Sequence, residues 1–248
     1  MKLEKITNSR NQTIIFLDIA KNIPSVTLID KVYIDKLHLK YSTAILISAV
    51  TNAINEMPHL NCMVKYGTDN KIISMKNISA RLTISDKKKN GIKGVYSTLL
   101  NNVKNESTID IYNKILEIKR KGIKGLESYN KVILLQKLPY HISKFLVKTM
   151  LYLFPKKQSE LFGSFTVTSF GKNSQKICIP ISGSTFTFTL GSIQNIDSNN
   201  PFLNIVMIFD HRIIDGIEAS ILLDKIKDNF AIYLLKIKEE INVQPEPK

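Results

Sequence analysis

The sequence predicts an α+β or mixed α/β fold, and three observations predict it. Short apolar runs of strand length share the chain with longer segments whose apolar residues recur every three or four positions. These strands and helices do not alternate as a βαβ array. No glycine-rich nucleotide fingerprint is present.

From the N-terminus, a helix is expected over residues 8–21, with Asn8 or Ser9 as its cap. Strands are expected at 25–36, 60–66 and 71–85, the last two joined by the turn Gly67-Thr68-Asp69-Asn70. A loop over 86–91 leads into an apolar stretch near Val95 to Leu100. Ser107, with Asp110 three residues on, has the form of a capping box. From there Ile109, Ile111, Ile115, Leu116 and Ile118 keep helical spacing as far as Gly122, a natural stop. Strands return at 163–170, 177–181, 185–191 and 202–210. Glu218 to Glu239 then reads as a helix with apolar residues three and four apart.

At 248 residues the chain is long enough to bury a substantial core, and one domain over residues 1–242 is expected, followed by a polar tail at 243–248. A hydrophobic share of 44% and a charged share of 23% are those of a soluble globular protein. No apolar region follows the first lysines, so a secretory signal is not expected. Cys62 and Cys178 lie in apolar surroundings and read as buried free thiols, which favours the cytoplasm. His38, His59 and His141 stand apart from any second ligand type, so no metal is expected. The net charge of +14 comes mainly from lysines spread along the chain, without the aromatic-interleaved basic patch of a nucleic-acid module. Nucleic acid is therefore not an expected partner.

One stretch stands out: Asp210-His211-Arg212-Ile213-Ile214-Asp215-Gly216. It puts a histidine at the end of the apolar run Phe202–Phe209 and an Asp-Gly at the start of the last helix. A histidine where a strand ends is held rigidly yet can face a cleft. An aspartate opening a helix can accept backbone N–H bonds and sits well on the helix dipole. The arrangement positions a base.

This motif closely resembles the active-site signature of the dihydrolipoamide acyltransferases, the catalytic cores of 2-oxo acid dehydrogenase complexes, and in looser form that of the chloramphenicol acetyltransferases. Other segments extend the likeness in family order. Ile23-Pro24-Ser25-Val26-Thr27-Leu28-Ile29-Asp30, continuing to Ile34-Asp35-Lys36-Leu37, looks like the family's early strand. Tyr41 to Leu60 is similar to its long helix, which ends at a proline (here Pro58) before an Asn-containing strand. Gly163-Ser164-Phe165-Thr166-Val167-Thr168-Ser169-Phe170-Gly171 resembles the Gly-x-Phe-Thr-x-Ser-x-x-Gly segment, and Thr185 to Gly191 the strand after it.

The resemblance implies a chloramphenicol acetyltransferase-like fold, with a mixed central sheet flanked by helices, and a CoA-dependent acyltransferase. His211 would be the general base toward a thiol or hydroxyl acceptor, and Thr168 the oxyanion donor. Asp215 would hold the loop and the histidine's setting, with Arg10 as a candidate ion-pair partner, while Arg212 would serve structure. Gly216 is expected to let the chain turn into the helix without a clash. Ser169 and Gly171 fall where coenzyme A or acyl-CoA would bind as substrate. The family further implies a homotrimer whose active site lies between subunits. It leaves open a separate lipoyl carrier protein, a non-catalytic scaffold or assembly subunit on the same core, and an antibiotic O-acetyltransferase.

Departures from the family are equally specific. The chain starts at the core, so a lipoyl domain and a covalent lipoyl group are not expected on it, and a stand-alone enzyme follows. The family's Gly-Leu-Leu-x-Pro-Val segment is replaced by Gly91 to Leu100, without the proline. A basic insertion occupies about 123–160. From Lys119 to Lys157 there are ten basic residues and one acidic residue, Glu127. Within it, residues 140–154 form an amphipathic helix with His141, Lys144 and Lys148 on one face and Ile142, Phe145, Leu146, Leu151 and Leu153 over much of the rest. Its apolar side is expected to pack on the domain, with contact to a membrane surface or to a protein partner as the alternatives.

Overall fold

Alternation along the strands decides how the molecule is layered. In this computed structural model, residues 4, 8–68, 70–87, 93–122, 134–169, 177–181, 183–196, 198 and 200–243 are described. The helices are α1 Asn8–Ala20, α2 Ser42–Glu56, α3 Thr108–Lys121, α4 Tyr140–Leu153, α5 Pro155–Phe162 and α6 Gly216–Val243. The strands are β1 Ser25–Tyr33, β2 Cys62–Val64, β3 Ile72–Ser74, β4 Ala80–Lys87, β5 Lys93–Leu100, β6 Phe165–Ser169, β7 Phe186–Gln194 and β8 Phe202–Asp210. Six of them form one sheet in the order β1-β8-β7-β6-β4-β5, and β2 and β3 pair separately. The sheet is mixed: β6 runs parallel to both β4 and β7, and the other pairs are antiparallel.

Phe165 and Val167 of β6, Phe186 and Phe188 of β7, and Met207 and Phe209 of β8 share one face. They meet Ile45, Ala49 and Ile54 of α2 and Leu222, Ile226 and Phe230 of α6 in the main core. Each such side chain, fully buried, contributes about 1.5–3 kcal/mol. The opposite face carries Thr166, Thr168, Thr187 and Thr189, so the sheet is apolar on one side and hydroxyl-rich on the other.

Local chemistry explains the ends of the elements. Ser107 caps α3, its hydroxyl accepting from the Asp110 N–H at 3.1 Å and donating to the Asp110 carboxylate at 2.7 Å. The helix stops at Gly122, as its spacing predicts, with φ at 63°. Gly163 has φ at 68°, and a Cβ there would stand 2.9 Å from the Ser79 carbonyl, so only glycine opens β6.

Three expectations change. The strand expected at 71–85 is two strands, because Asn77 and Ser79 turn their backbone groups to side chains. The Asn77 carbonyl accepts from Asn61 at 3.4 Å, and the Ser79 N–H donates to Ser164 Oγ at 3.1 Å. Residues 177–181 are not a strand; Pro180 has no N–H for a ladder, and Ile177, Ile179 and Ile181 stay exposed. The third change is in α4, which packs on the domain through Val147, Met150 and Leu151 and not through most of the expected apolar residues. Lys144 and Lys148 face inward onto Asp18 of α1, at 3.0 and 2.5 Å, and Lys21 joins them at 2.8 Å. Of the apolar residues expected to pack, Leu151 alone is buried, whereas Ile142, Phe145, Leu146 and Leu153 face out. Charge-assisted hydrogen bonds to one shielded carboxylate set the helix's orientation. Of the tail expected over 243–248, Val243 closes α6, and residues 244–248 lie outside the described residues, as do the first part of the expected insertion at 123–133 and Asp69 of the turn.

Candidate active site

β8 delivers His211 to the edge of the sheet. The Asp210 N–H donates to the Thr185 carbonyl at 3.0 Å, and the His211 N–H donates to the Pro24 carbonyl at 2.9 Å. The chain then turns, with Ile213 N–H donating to the Asp210 carbonyl at 3.0 Å. Arg212 locks this turn: its Nε and Nη2 donate to the two oxygens of the buried Asp210 carboxylate at 2.9 and 2.7 Å, and its N–H donates to Oδ1 at 3.1 Å. The expected structural role of Arg212 is what this geometry gives it. The partner is legible in principle, since residues two apart on a strand share a face.

The imidazole stands at an edge-to-face angle to Phe209, with ring centres 6.1 Å apart, and its side chain is 44% exposed. Its Nδ1 lies 3.0 Å from the Ile214 carbonyl. A carbonyl only accepts, so Nδ1 carries the hydrogen and the lone pair is on Nε2. Asp215 stands at the start of α6, its carbonyl accepting from the Ala219 N–H at 2.8 Å, and its carboxylate is 3.7 Å from the same Nδ1. Among the described residues it makes no pair with Arg10. Gly216 needs correction: its φ is not positive and a Cβ would meet nothing within 4 Å, so steric relief is not its reason.

Thr168 lies elsewhere in the same sheet. Phe165, Phe186 and Phe209 sit at one level across β6, β7 and β8, whereas Thr168 is level with Thr189 and Val206. His211 is five residues beyond Val206 along β8, and β6 is two strands away. At about 3.3 Å per residue and 4.8 Å per strand, the two are roughly 20 Å apart within one chain. Thr168 is half-buried, and its hydroxyl has no hydrogen bond among the described residues, whereas Thr166 shares one of 2.7 Å with Ser184. Ser169 ends β6, and its side chain lies outside the described residues, as does Gly171.

The His211 end of the sheet is rich in polar contacts. The Thr185 hydroxyl donates to the Cys62 carbonyl, and Asn61 Nδ2 donates to the Met75 carbonyl at 2.8 Å. Burial, and then the Asp210 charge, push the Cys62 thiol up from its ordinary pKa, which makes it a poor nucleophile. His59 meets Glu218 of the first turn of α6 at 2.6 Å, a contact between distant segments that no local pattern announces. Among the described residues, no group of three or more His, Cys, Asp or Glu side chains is placed to hold a metal ion.

No family model matches the chain. A curated relative, the dihydrolipoyllysine-residue succinyltransferase component of the 2-oxoglutarate dehydrogenase complex of Buchnera aphidicola subsp. Schizaphis graminum, is 26% identical over 73% of this chain. The chain spans 39% of that relative's length. The solved structure of a probable dihydrolipoamide acetyltransferase from Listeria monocytogenes superposes with a TM-score of 0.63 at 22% identity, over 94% of this chain and 95% of that one. The cubic core of the pyruvate dehydrogenase multienzyme complex gives 0.65 at 15% identity, over 93% and 91%. This chain has the dihydrolipoamide acyltransferase core fold. Chloramphenicol acetyltransferase shares it more distantly, with a TM-score of 0.51 at 13% identity over 93% and 98%.

Proposed function

We propose that this protein transfers an acyl group between a thioester, acyl-CoA or an acyl-lipoyl carrier, and a thiol or hydroxyl acceptor. The observation that carries the reading is the hydrogen bond from His211 Nδ1 to the Ile214 carbonyl, which leaves Nε2 as a free base on a rigid strand end. Nε2 takes the acceptor's S–H or O–H proton as its sulfur or oxygen attacks the thioester carbonyl. The C–S bond of the tetrahedral intermediate then breaks, and the departing thiolate takes that proton from the imidazolium. General-base help of this kind contributes about 10²–10⁴-fold. The Asp215 carboxylate lies 3.7 Å from Nδ1 at the start of α6 and borders the ring on that side.

Thr168 donates its unengaged hydroxyl to the oxyanion. Since it stands roughly 20 Å from His211 in one chain, the working site joins His211 of one copy to Thr168 of the next, in a homotrimer. Exposed Ile217 and Ile221, at 82% and 49%, flank the His211 loop and supply apolar surface for that contact. The open space over Gly216 fits the same arrangement. Ser169 and Gly171, following Thr168, would line the coenzyme A path, and the basic field of the chain would draw in its phosphates. The acyl donor's carrier would be a separate lipoyl protein or coenzyme A itself, and the cytoplasm is the proposed location.

Incubation with a panel of acyl-CoAs and dihydrolipoamide, following free CoA, tests this. Turnover by the wild type that vanishes in His211→Ala is expected. Absence of turnover with every acyl group in folded trimers would contradict the reading.

A further inference from the structure

The outward face of α4 is a second functional surface. Ile142, Phe145, Leu146 and Leu153 recur at helical spacing on the side away from the domain, and Phe154 continues them into the bend before α5. Phe145 is 68% exposed, Leu153 57% and Phe154 56%. A contiguous row of large apolar side chains in water is costly and rare on a monomer surface. The helix is fixed in this pose from its other side. Asp18 holds Lys144 and Lys148, and the Ser143 hydroxyl donates to the Leu135 carbonyl at 2.7 Å.

Charge decides what this face fits. Residues 134–162 contain five lysines and a single acid, Glu160, which is taken by Lys157 at 2.7 Å. Lys137, His141 and Lys156 are exposed around the apolar row. Apolar side chains inside a cationic rim are what an acidic lipid surface attracts: lysines meet headgroups, and Phe and Leu enter the acyl boundary. Ile217 and Ile221, which are also exposed, are interleaved with Asp215 and Glu218 and lack this character. Among the described residues no helix is long and apolar enough to cross a membrane, so the contact is superficial.

We propose that the outward face of α4, with Phe154, docks this protein onto anionic lipid surfaces. This docking does not depend on the acyl-transfer reading.

Flotation of the full chain with vesicles tests it, using phosphatidylcholine alone or mixed with an equal part of phosphatidylglycerol. The wild type is expected to float with the mixed vesicles only, less so as salt rises. Phe145→Ser with Leu153→Ser should reduce recovery at least about tenfold while melting temperature and solution mass stay unchanged. Lys137→Glu with Lys156→Glu should do the same through charge alone, with the apolar row intact. No flotation of the wild type with the mixed vesicles would overturn the proposal, as would flotation that survives both double variants. A fall in solution mass of the serine variant would also overturn it, and would assign the face to a contact between copies.

Discussion

The two ends of the central sheet are built in opposite ways. At the His211 end the groups that orient the ring are tied: Asp210 to Arg212, the His211 N–H to Pro24, and Nδ1 to Ile214. At the other end Thr168 offers a hydroxyl with no partner among the described residues. One end holds a base in a single tautomer, and the other leaves a donor uncommitted. In one chain they do not meet. On the proposed function each end would be half of a site, which a neighbouring copy would complete.

The largest effect should come from removing the tied base. His211→Ala is expected to lower kcat/KM by about 10²–10⁴-fold with an unchanged melting curve, because the side chain is an exposed end of the network. Thr168→Ala should cost about 3–4 kcal/mol of barrier, read mainly in kcat, and Thr168→Ser should restore most of it. Breaking the wiring behind the base separates stability from chemistry. Asp210→Ala removes the buried carboxylate that accepts three N–H bonds from Arg212 and should lower stability by roughly 3 kcal/mol, seen as a shifted urea midpoint, with activity falling as His211 loses its seat.

Smaller effects sharpen the contrast elsewhere. Hydrogen bonds from Lys148, Lys21 and Lys144 hold the Asp18 carboxyl well below the usual carboxylate range. A depressed folded pKa means that the stabilisation is fully present above the unfolded value of about 4. It is lost as pH falls through the folded value. Asp18→Asn should therefore weaken hydrogen-exchange protection of α4 at neutral pH and flatten the acid limb of its pH dependence. Smallest of all, Gly216→Ala should leave the melting temperature unchanged, since its methyl meets nothing among the described residues. Lost activity in that variant would mark the space as one that a neighbour or substrate uses.

What was legible in the sequence follows from how local each feature is. Phe202–Asp210 as a strand, Ser107 as a cap and Gly122 as a stop depend on neighbours in the chain, and they are where their patterns put them. The motif around His211 is equally local, and its turn is closed by residues within four positions. The rest depends on distant partners. Nothing near Lys144 or Lys148 announces Asp18 of α1, so the helical pattern alone does not show that these lysines share the packed face of α4 with Val147 and Leu151. Residues 177–181 alternate well enough for a strand, but Pro180 takes a donor away from any ladder. The distance between Thr168 and His211 is a property of strand order, which no motif spacing contains.

A shared site has one direct test. His211→Ala and Thr168→Ala proteins, each nearly inactive alone, are unfolded together, refolded as mixed trimers and assayed for CoA release. Sites that pair an intact histidine from one copy with an intact threonine from the next should return about a quarter of wild-type activity. Mixed trimers no more active than their parents, beside an active wild type refolded the same way, would contradict a site built between copies.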